Sequence, residues 1–317
     1  MKGATMYDYK VGVVIPIFNE EKNIPELLQR LTGVLSRTCN YEILFVNDGS
    51  SDESRKIIES YAKNDSRIKL INFSRNFGHQ EAISAGIANI AGDAAILMDG
   101  DLQDPPEVLP QFIDKWQEGY QVVYAIRKKR KENIFKRAAY YIFYRTLGKL
   151  SDIDIPLDSG DFSCVDRVVI EHLNALPEKN RFVRGIRSWV GYKQVGLEYE
   201  RDARKYGNPK FTFSKLLKLA YDGMISFSHK PIKIVAKLGL ISLIFSLVII
   251  IGTLYLKLFT NITIPGYSST IIIISFFSGL QMLMMGVIGE YVARIFDEVK
   301  GRPNYIIEST LNLDENG

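Results

Sequence analysis

The chain has 317 residues, 46% of them hydrophobic and 24% charged, with a formal net charge of +4. That length allows one large or two modest domains, and so modest a charge gives no footing for nucleic acid. Two isolated cysteines, Cys39 and Cys164, fit no metal-ligand spacing and read as reduced thiols in a cytosolic compartment.

Residues 1–10 are polar and 11–18 too short for the apolar core of a signal peptide, so no leader is expected. Residues 11–18 read instead as a first strand, a β-branched run that Pro16 ends or edges. Asn19 is placed to cap a helix over about 21–35, with carboxylates in its first turn. A second strand over 42–46 is followed by a polar turn and a helix reaching about Tyr61. A third strand covers 68–73, its loop runs over 74–80, and a small-residue helix takes 81–91. Strands over 94–98 and 121–125 follow. This alternation predicts right-handed βαβ units and a Rossmann-like mixed, mostly parallel α/β sheet. The loops at the strands' carboxyl ends then bring Asn19, Glu20, Asp48, Gly78 and residues 99–103 to one rim, where such sheets bind ligands. No Gly-x-Gly-x-x-Gly follows the first strand and no Walker loop is present, which disfavours a dinucleotide fold and a P-loop NTPase.

The fourth strand runs abruptly into Asp99-Gly100-Asp101-Leu102-Gln103-Asp104-Pro105-Pro106. Oxygen-only donors such as Asp99, Asp101 and Gln103 suit Mg²⁺ or Mn²⁺. An acidic loop capping the next helix is the plainer alternative. Asp48, at another strand end before Gly49-Ser50, reads by itself as a turn or N-cap residue.

Four motifs in order carry a resemblance: Pro16-Ile17-Phe18-Asn19-Glu20-Glu21, Val46-Asn47-Asp48-Gly49-Ser50-Ser51-Asp52, Ser74-Arg75-Asn76-Phe77-Gly78-His79 and the Asp99–Pro106 stretch. Together they resemble the successive motifs of family-2 glycosyltransferases with a GT-A fold. The subgroup resembled is the polyprenyl-phosphate glycosyltransferases, which include dolichol-phosphate mannose synthase and the bactoprenol glucosyltransferases. The resemblance implies that Asp48 bonds the base, that Pro16, Asn19, Glu20 and Gly78 border the nucleotide, and that Asp99 lies near ribose and metal. It implies Asp101 and Gln103 as ligands of a divalent ion, Mg²⁺ or Mn²⁺. Asp158-Ser159-Gly160-Asp161-Phe162 resembles the family's acceptor-side segment, which makes Asp158 or Asp161 a candidate base. A phosphate acceptor with a second pKa of about 6 scarcely needs deprotonating, so positioning is the expected role. Residues 198–211 resemble the family's phosphate-covering loop, with Arg204 and Lys210 in register and Arg201 a further participant. Pro209 and Phe211 depart from the usual serine and tyrosine.

Basic and aromatic residues interleave over 127–145 and basic and apolar ones over 213–233, the pattern of amphipathic helices lying on a membrane surface. Residues 238–256 and 262–289 carry no charge. Roughly 19 helical residues span about 28 Å, close to a bilayer's apolar thickness. A two-helix transmembrane hairpin, about 236–257 and 268–290, is therefore expected. The domains follow as a catalytic unit over 1–212, juxtamembrane helices over 213–233, the hairpin within 234–293 and a tail over 294–317. Lys230, Lys233 and Lys237 on one flank, and Arg294, Lys300 and Arg302 on the other, put both ends in the cytoplasm, as for a bacterial inner-membrane protein. Gly279, Gly286 and Gly289 would permit close helix packing and self-association.

The resemblance implies an inverting, metal-dependent hexosyltransferase taking glucose from UDP-glucose to undecaprenyl or a similar polyprenyl phosphate. Mannosyl or aminoarabinosyl transfer to the same lipid class is the nearest rival. A processive polysaccharide synthase would want a Gln-x-x-Arg-Trp motif that is absent. A non-catalytic adaptor for a flippase would have eroded metal and nucleotide residues, and here they are intact.

Overall fold

The computed structural model describes residues 8–127, 159–179, 181–201, 230–259 and 266–313. Asp158, Arg204 and Lys210, and nearly all of both expected surface-lying segments, lie outside these residues.

The chain opens with β1 (Lys10–Ile17), α1 (Ile24–Leu35), β2 (Asn40–Asn47), α2 (Ser54–Ala62), β3 (Ile68–Phe73), α3 (His79–Asn89) and β4 (Ala94–Leu97). A 3-10 turn (Pro106–Val108) leads into α4 (Leu109–Gln117), β5 (Val122–Arg127), β6 (Ser159–Asp166), α5 (Arg167–Ala175), α6 (Val183–Trp189) and β7 (Gln194–Tyr199). Two long helices, α7 (Lys230–Phe259) and α8 (Tyr267–Lys300), precede a last strand, β8 (Ile307–Leu311). All eight strands form one sheet in the order β7-β5-β6-β4-β1-β2-β3-β8. The β1/β2, β1/β4, β2/β3 and β5/β7 pairs are parallel; β4/β6, β5/β6 and β3/β8 are antiparallel. This is the mixed α/β sheet expected from the alternation of strands and helices, and it fits the GT-A fold that the resemblance implies.

β1 is central, and Val11, Val13, Val14 and Ile15 are fully buried. One face takes the apolar stripe of α1, where Ile24, Leu27, Leu31 and Leu35 are also fully buried. The other face takes α3, whose small residues let it come close: a Cβ on Gly86 would stand 2.1 Å from Val14 Cγ1. Pro16 is tolerated in so central a strand for a geometric reason. Pairing with β4 stops at Val14↔Leu97, so the missing N–H of Pro16 falls beyond the last paired residue on that side.

The chain divides into two compact units, one holding the sheet and its helices, the other α7 and α8. In the second, the rings of Phe245 and Phe277 stand 6.2 Å apart, packing α7 on α8. Large apolar side chains nonetheless face outward: Ile251 is 66% exposed and Met282 70%. Among the described residues Phe276–Lys300 is long and apolar enough to cross a membrane, while Ile234–Ile249 is a shorter apolar stretch. Glu290 and Arg294 form the i,i+4 ion pair the spacing predicts, at 3.3 Å. Among the described residues a Cβ on Gly279, Gly286 or Gly289 would meet nothing within 4 Å.

Residues 303–313 belong to the sheet-bearing unit rather than to a loose tail. α8 stops at Gly301, which adopts a left-handed φ of 65°, and Pro303 prevents its resumption. β8 then adds to the edge of β3. Tyr305 stacks on Phe73 at 5.0 Å, Glu308 pairs with Arg55 at 2.9 Å, and Asn312 donates to the carbonyls of Ala62 and Ile68. Covering an edge strand removes a template for aggregation.

Candidate active site

The loops at the carboxyl ends of the first four strands are laced together side by side. After β1, Asn19 takes a left-handed φ of 53°. Its N–H donates to Ser50 Oγ (3.0 Å), and its Oδ1 accepts from the Ser51 N–H (2.8 Å) in the loop after β2. The expectation that Asn19 caps α1 is corrected: that helix starts at Ile24, behind Asn23, with no side-chain cap. An asparagine oxygen bonds whichever N–H lies before it, and the neighbouring loop supplies one. Glu20 is 9% exposed; its N–H donates to Ser54 Oγ and its carboxylate accepts from the Asn23 amide, so it holds the turn. Pro16 sits at the same rim, partly exposed.

Asp48 binds the loop after β3. Its carboxylate accepts from Asn76 Nδ2 (2.9 Å), the Phe77 N–H (2.7 Å) and the Gly78 N–H (3.1 Å), and the residue is 4% exposed. Burial raises its pKa, against the opposing pull of those two backbone donors. Gly49 follows at φ 66°, and an added Cβ would lie 2.5 Å from the Arg75 carbonyl carbon, so only glycine lets the two loops touch. Gly78 begins α3, with a φ of 128°. Asn47, Asn72 and Ser309 continue the lacing through side-chain hydrogen bonds across β2, β3 and β8.

After β4 the chain makes the tight acidic turn. Asp101 Oδ1 accepts from the Gln103 N–H (3.2 Å), and Leu102 between them has a φ of 60°. Asp104 is 1% exposed and accepts from the Tyr199 hydroxyl. Arg201, just past β7, ion-pairs with Asp104 (3.4 Å) and Asp99 (3.8 Å). Among the described residues no three His, Cys, Asp or Glu side chains gather as a ready-made metal cage. Asp99, Asp101 and Gln103 still fit a divalent ion by chemistry: they are oxygen donors on one turn, and Asp99 already draws two cationic side chains within 4 Å.

The second of those cationic groups is His79. The antiparallel register Leu97↔Ser163 carries Asp161 on β6 level with Asp99 beyond β4, and His79 Nε2 lies between them, 3.6 Å from Asp99 and 3.5 Å from Asp161. Arg184 on α6 grips Asp161 with both prongs, Nε–Oδ1 at 2.8 Å and Nη2–Oδ2 at 3.1 Å. Gln80 accepts from the Val183 N–H, tying the start of α3 to the start of α6. Burial favours the neutral acid at Asp161, but the charge of Arg184 and the His79 and Arg184 hydrogen bonds outweigh it and hold the carboxyl well below its ordinary range. The His79 side chain is 40% exposed; crowding by protein atoms pulls its pKa down, yet the Asp161 hydrogen bond and the two carboxylates raise it from 6.5 to about 9.

That shift fixes the sign of a pH effect. A group whose pKa is raised by folding stabilises fully below its unfolded value of about 6.5 and loses that contribution as pH climbs through the folded value. In metal-free buffer the melting temperature is expected to fall between pH 6.5 and about 9, and His79→Gln to flatten that slope. Coincident slopes for the two proteins would remove the ion pairs from the account.

His79 and Arg184 were not legible as partners of Asp161. His79 follows Gly78 inside a recognisable motif, but Arg184 carries no local signal, and only the fold brings α6 to Asp161. At the opposite end of the strands, buried Glu42 is answered by Lys10, by Lys69 (3.0 Å) and by the Ala91 N–H, an internal ion pair remote from this rim. Cys39 and Cys164 are buried free thiols, and burial pushes Cys39 up to about 12, so neither is a nucleophile.

Laced loops at one rim, an Asp-x-Asp turn and a mixed sheet are what the resemblance implies, and comparison identifies the family. Residues 12–173 match the family description "Glycosyl transferase family 2". The chain belongs to that family and is a glycosyltransferase. It is 50% identical over 305 residues to an uncharacterized glycosyltransferase of Bacillus subtilis (strain 168), covering 96% of this chain and 94% of that one. It is 40% identical over 307 residues to the SfII prophage-derived bactoprenol glucosyl transferase of Shigella flexneri (95% and 98% covered). A prophage bactoprenol glucosyl transferase homolog of Escherichia coli (strain K12) is 39% identical over 305 residues (94% and 98% covered).

Proposed function

We propose that this glycosyltransferase moves glucose from UDP-glucose to a polyprenyl phosphate at the cytoplasmic face of a membrane, with inversion at the anomeric carbon. The observation that carries this is end-to-end similarity to bactoprenol glucosyl transferases, extending over 95% of this chain and therefore through both long apolar helices. Those helices expose apolar side chains that water would penalise and hydrocarbon would not. We read α7 and α8 as a transmembrane hairpin, residues 1–212 as the catalytic unit, 213–233 as juxtamembrane helices, and both chain ends as cytoplasmic.

In this scheme Pro16, Asn19, Glu20, Asp48 and Gly78 shape the nucleoside pocket, with Asp48 fixing the loop that borders the base. Asp99, Asp101 and Gln103 would hold Mg²⁺ or Mn²⁺, which when bound neutralises the departing diphosphate as a Lewis acid. Arg204 and Lys210 cover the diphosphate with fork and point charge. The acceptor's phosphate oxygen bonds to the anomeric carbon, the bond from that carbon to the nucleoside diphosphate breaks, and the diphosphate leaves with the electron pair. Asp158 and Asp161 position the reactants. Asp161 is locked as an anion by Arg184, and a phosphate acceptor already ionised needs no base. Holding both reactants in one cleft supplies the orientation term.

The test is direct. Membranes holding the protein are incubated with polyprenyl phosphate and a panel of labelled nucleotide sugars, then extracted. UDP-glucose is expected to label the lipid most strongly. Stronger label from a mannosyl or aminoarabinosyl donor reassigns the sugar, and an unlabelled extract with every donor overturns the reaction.

A further inference from the structure

Three polar side chains stand in one row across β2, β3 and β8. The register pairs Asn47 with Asn72 and Asn72 with Ser309, so the three lie side by side. Asn47 is 3% exposed and Asn72 2%. Burying an amide is costly unless both its ends are bonded, and backbone ladders already join these strands. The row therefore does something that the ladders do not.

Its hydrogen bonds run in one direction. The Ser50 N–H donates to Asn47 Oδ1 (3.0 Å), Asn47 Nδ2 to Asn72 Oδ1 (2.9 Å), and Asn72 Nδ2 to Ser309 Oγ (3.1 Å). A backbone N–H can only donate, so Ser50 fixes which way both amides point, and the last amide nitrogen needs an acceptor on β8. Ser309 is that acceptor, and Arg55 Nη2 also donates to its Oγ, at 3.3 Å. Bonds aligned head to tail polarise one another. At the other end Ser50 Oγ accepts from the Asn19 N–H, so the row reaches from β8 to the loop after β1.

The same segment holds the loop after β3 from its far side. The Ser74 N–H donates to the Ile306 carbonyl (3.1 Å), and Tyr305 stacks on Phe73, whose ring meets Phe77 edge-on at 5.7 Å. Asp48 grips that loop from the other side, at Asn76, Phe77 and Gly78.

We propose that β8, the strand that follows the two long helices, is part of the donor-nucleotide site, with Ser309 and Tyr305 as positioning residues. Both act through the rim loops rather than by touching the nucleotide. Ser309 sets the shape of the loop after β2 through Asn72 and Asn47. Tyr305 sets that of the loop after β3 through Phe73. Asp48 joins those two loops, so a bond lost at β8 shifts the groups presented to the base. This rests on the nucleotide-donor reading above.

The experiment uses the full-length protein in nanodiscs, with UDP-glucose as donor and undecaprenyl phosphate as acceptor. Ser309→Ala leaves the Asn72 amide nitrogen without its acceptor and is expected to raise the donor KM about tenfold, equivalent to about 1.4 kcal/mol. The acceptor KM, and kcat at saturating donor, should stay within about twofold. Ser309→Thr keeps the hydroxyl and should restore the donor KM. Should Ser309→Ala not fold, Tyr305→Leu makes the same comparison, because it removes the ring stack and leaves the row in place. A raised acceptor KM with the donor KM held places β8 on the acceptor side and overturns the proposal. A lower melting temperature with both KM values held makes the row structural and overturns it equally. If the wild-type protein labels no lipid, the reaction reading has failed before any variant is compared. UDP affinity by calorimetry then decides for β8 by itself: a loss of about tenfold in Ser309→Ala, restored in Ser309→Thr, supports it, and an unchanged or absent affinity rejects it.

Discussion

Asp161→Ala should destabilise the sheet-bearing unit by about 3–5 kcal/mol, the usual cost of removing one partner from a buried ion pair. Asp161 is 10% exposed and takes both prongs of Arg184, so the alanine variant removes both of those bonds beside Arg187, whose guanidinium has no hydrogen-bond partner among the described residues. At about 2–4 °C per kcal/mol for a unit of this size, the melting temperature should drop by roughly 6–20 °C. The pH dependence follows from the direction of the shift. Folding depresses the Asp161 pKa, so its stabilisation is complete above the unfolded value of about 3.9 and is lost as pH falls through the folded value. The gap between wild type and variant should therefore be full at neutral pH and narrow in acid. A variant melting with the wild type at pH 7 would mean that Arg184 finds another anion and that Asp161 is not the hub described here.

Asp101→Asn should behave in the opposite way, folding normally while losing transfer. Asp101 is partly exposed, and its carboxylate helps to hold the turn by accepting the Gln103 N–H at Oδ1, a bond that an asparagine oxygen can also accept. What asparagine lacks is the charge to hold a divalent ion against a diphosphate. Loss of one such electrostatic contribution costs about 10²–10³ in turnover. Label transfer to polyprenyl phosphate should fall by at least that much, and the gain in UDP affinity on adding Mn²⁺, expected for the wild type, should vanish. Full activity with an unchanged Mn²⁺ response would remove Asp101 from metal binding.

Much of the fold was legible because it is written in short-range patterns. Residues 68–73 were expected as a strand and form β3 over those same residues, since an apolar run between turn residues has few other uses. α3 starts two residues before its expected position because Gly78, at a φ of 128°, lets the helix begin at once. Asn19 was misread because its side chain serves a helix cap and a loop contact equally well, and only the neighbouring loop decides between them. β8 was missed for a different reason. Ile307-Glu308-Ser309-Thr310-Leu311 has a strand-like alternation, but its partner β3 lies more than 200 residues earlier, beyond two long helices.

The sequence by itself determined the alternating strands and helices, the acidic turn at Asp99–Gln103, and two long apolar helices, because periodicity and turn chemistry act over a few residues. Only the tertiary structure decided that Asp161 stands level with Asp99, that His79 lies between them, and that Arg184 grips the same carboxylate. Those juxtapositions come from an antiparallel pairing of β4 with β6 and a helix packed beside it. Charges meeting across such distances in the chain leave no local trace, since what holds them in place is the packing of everything between.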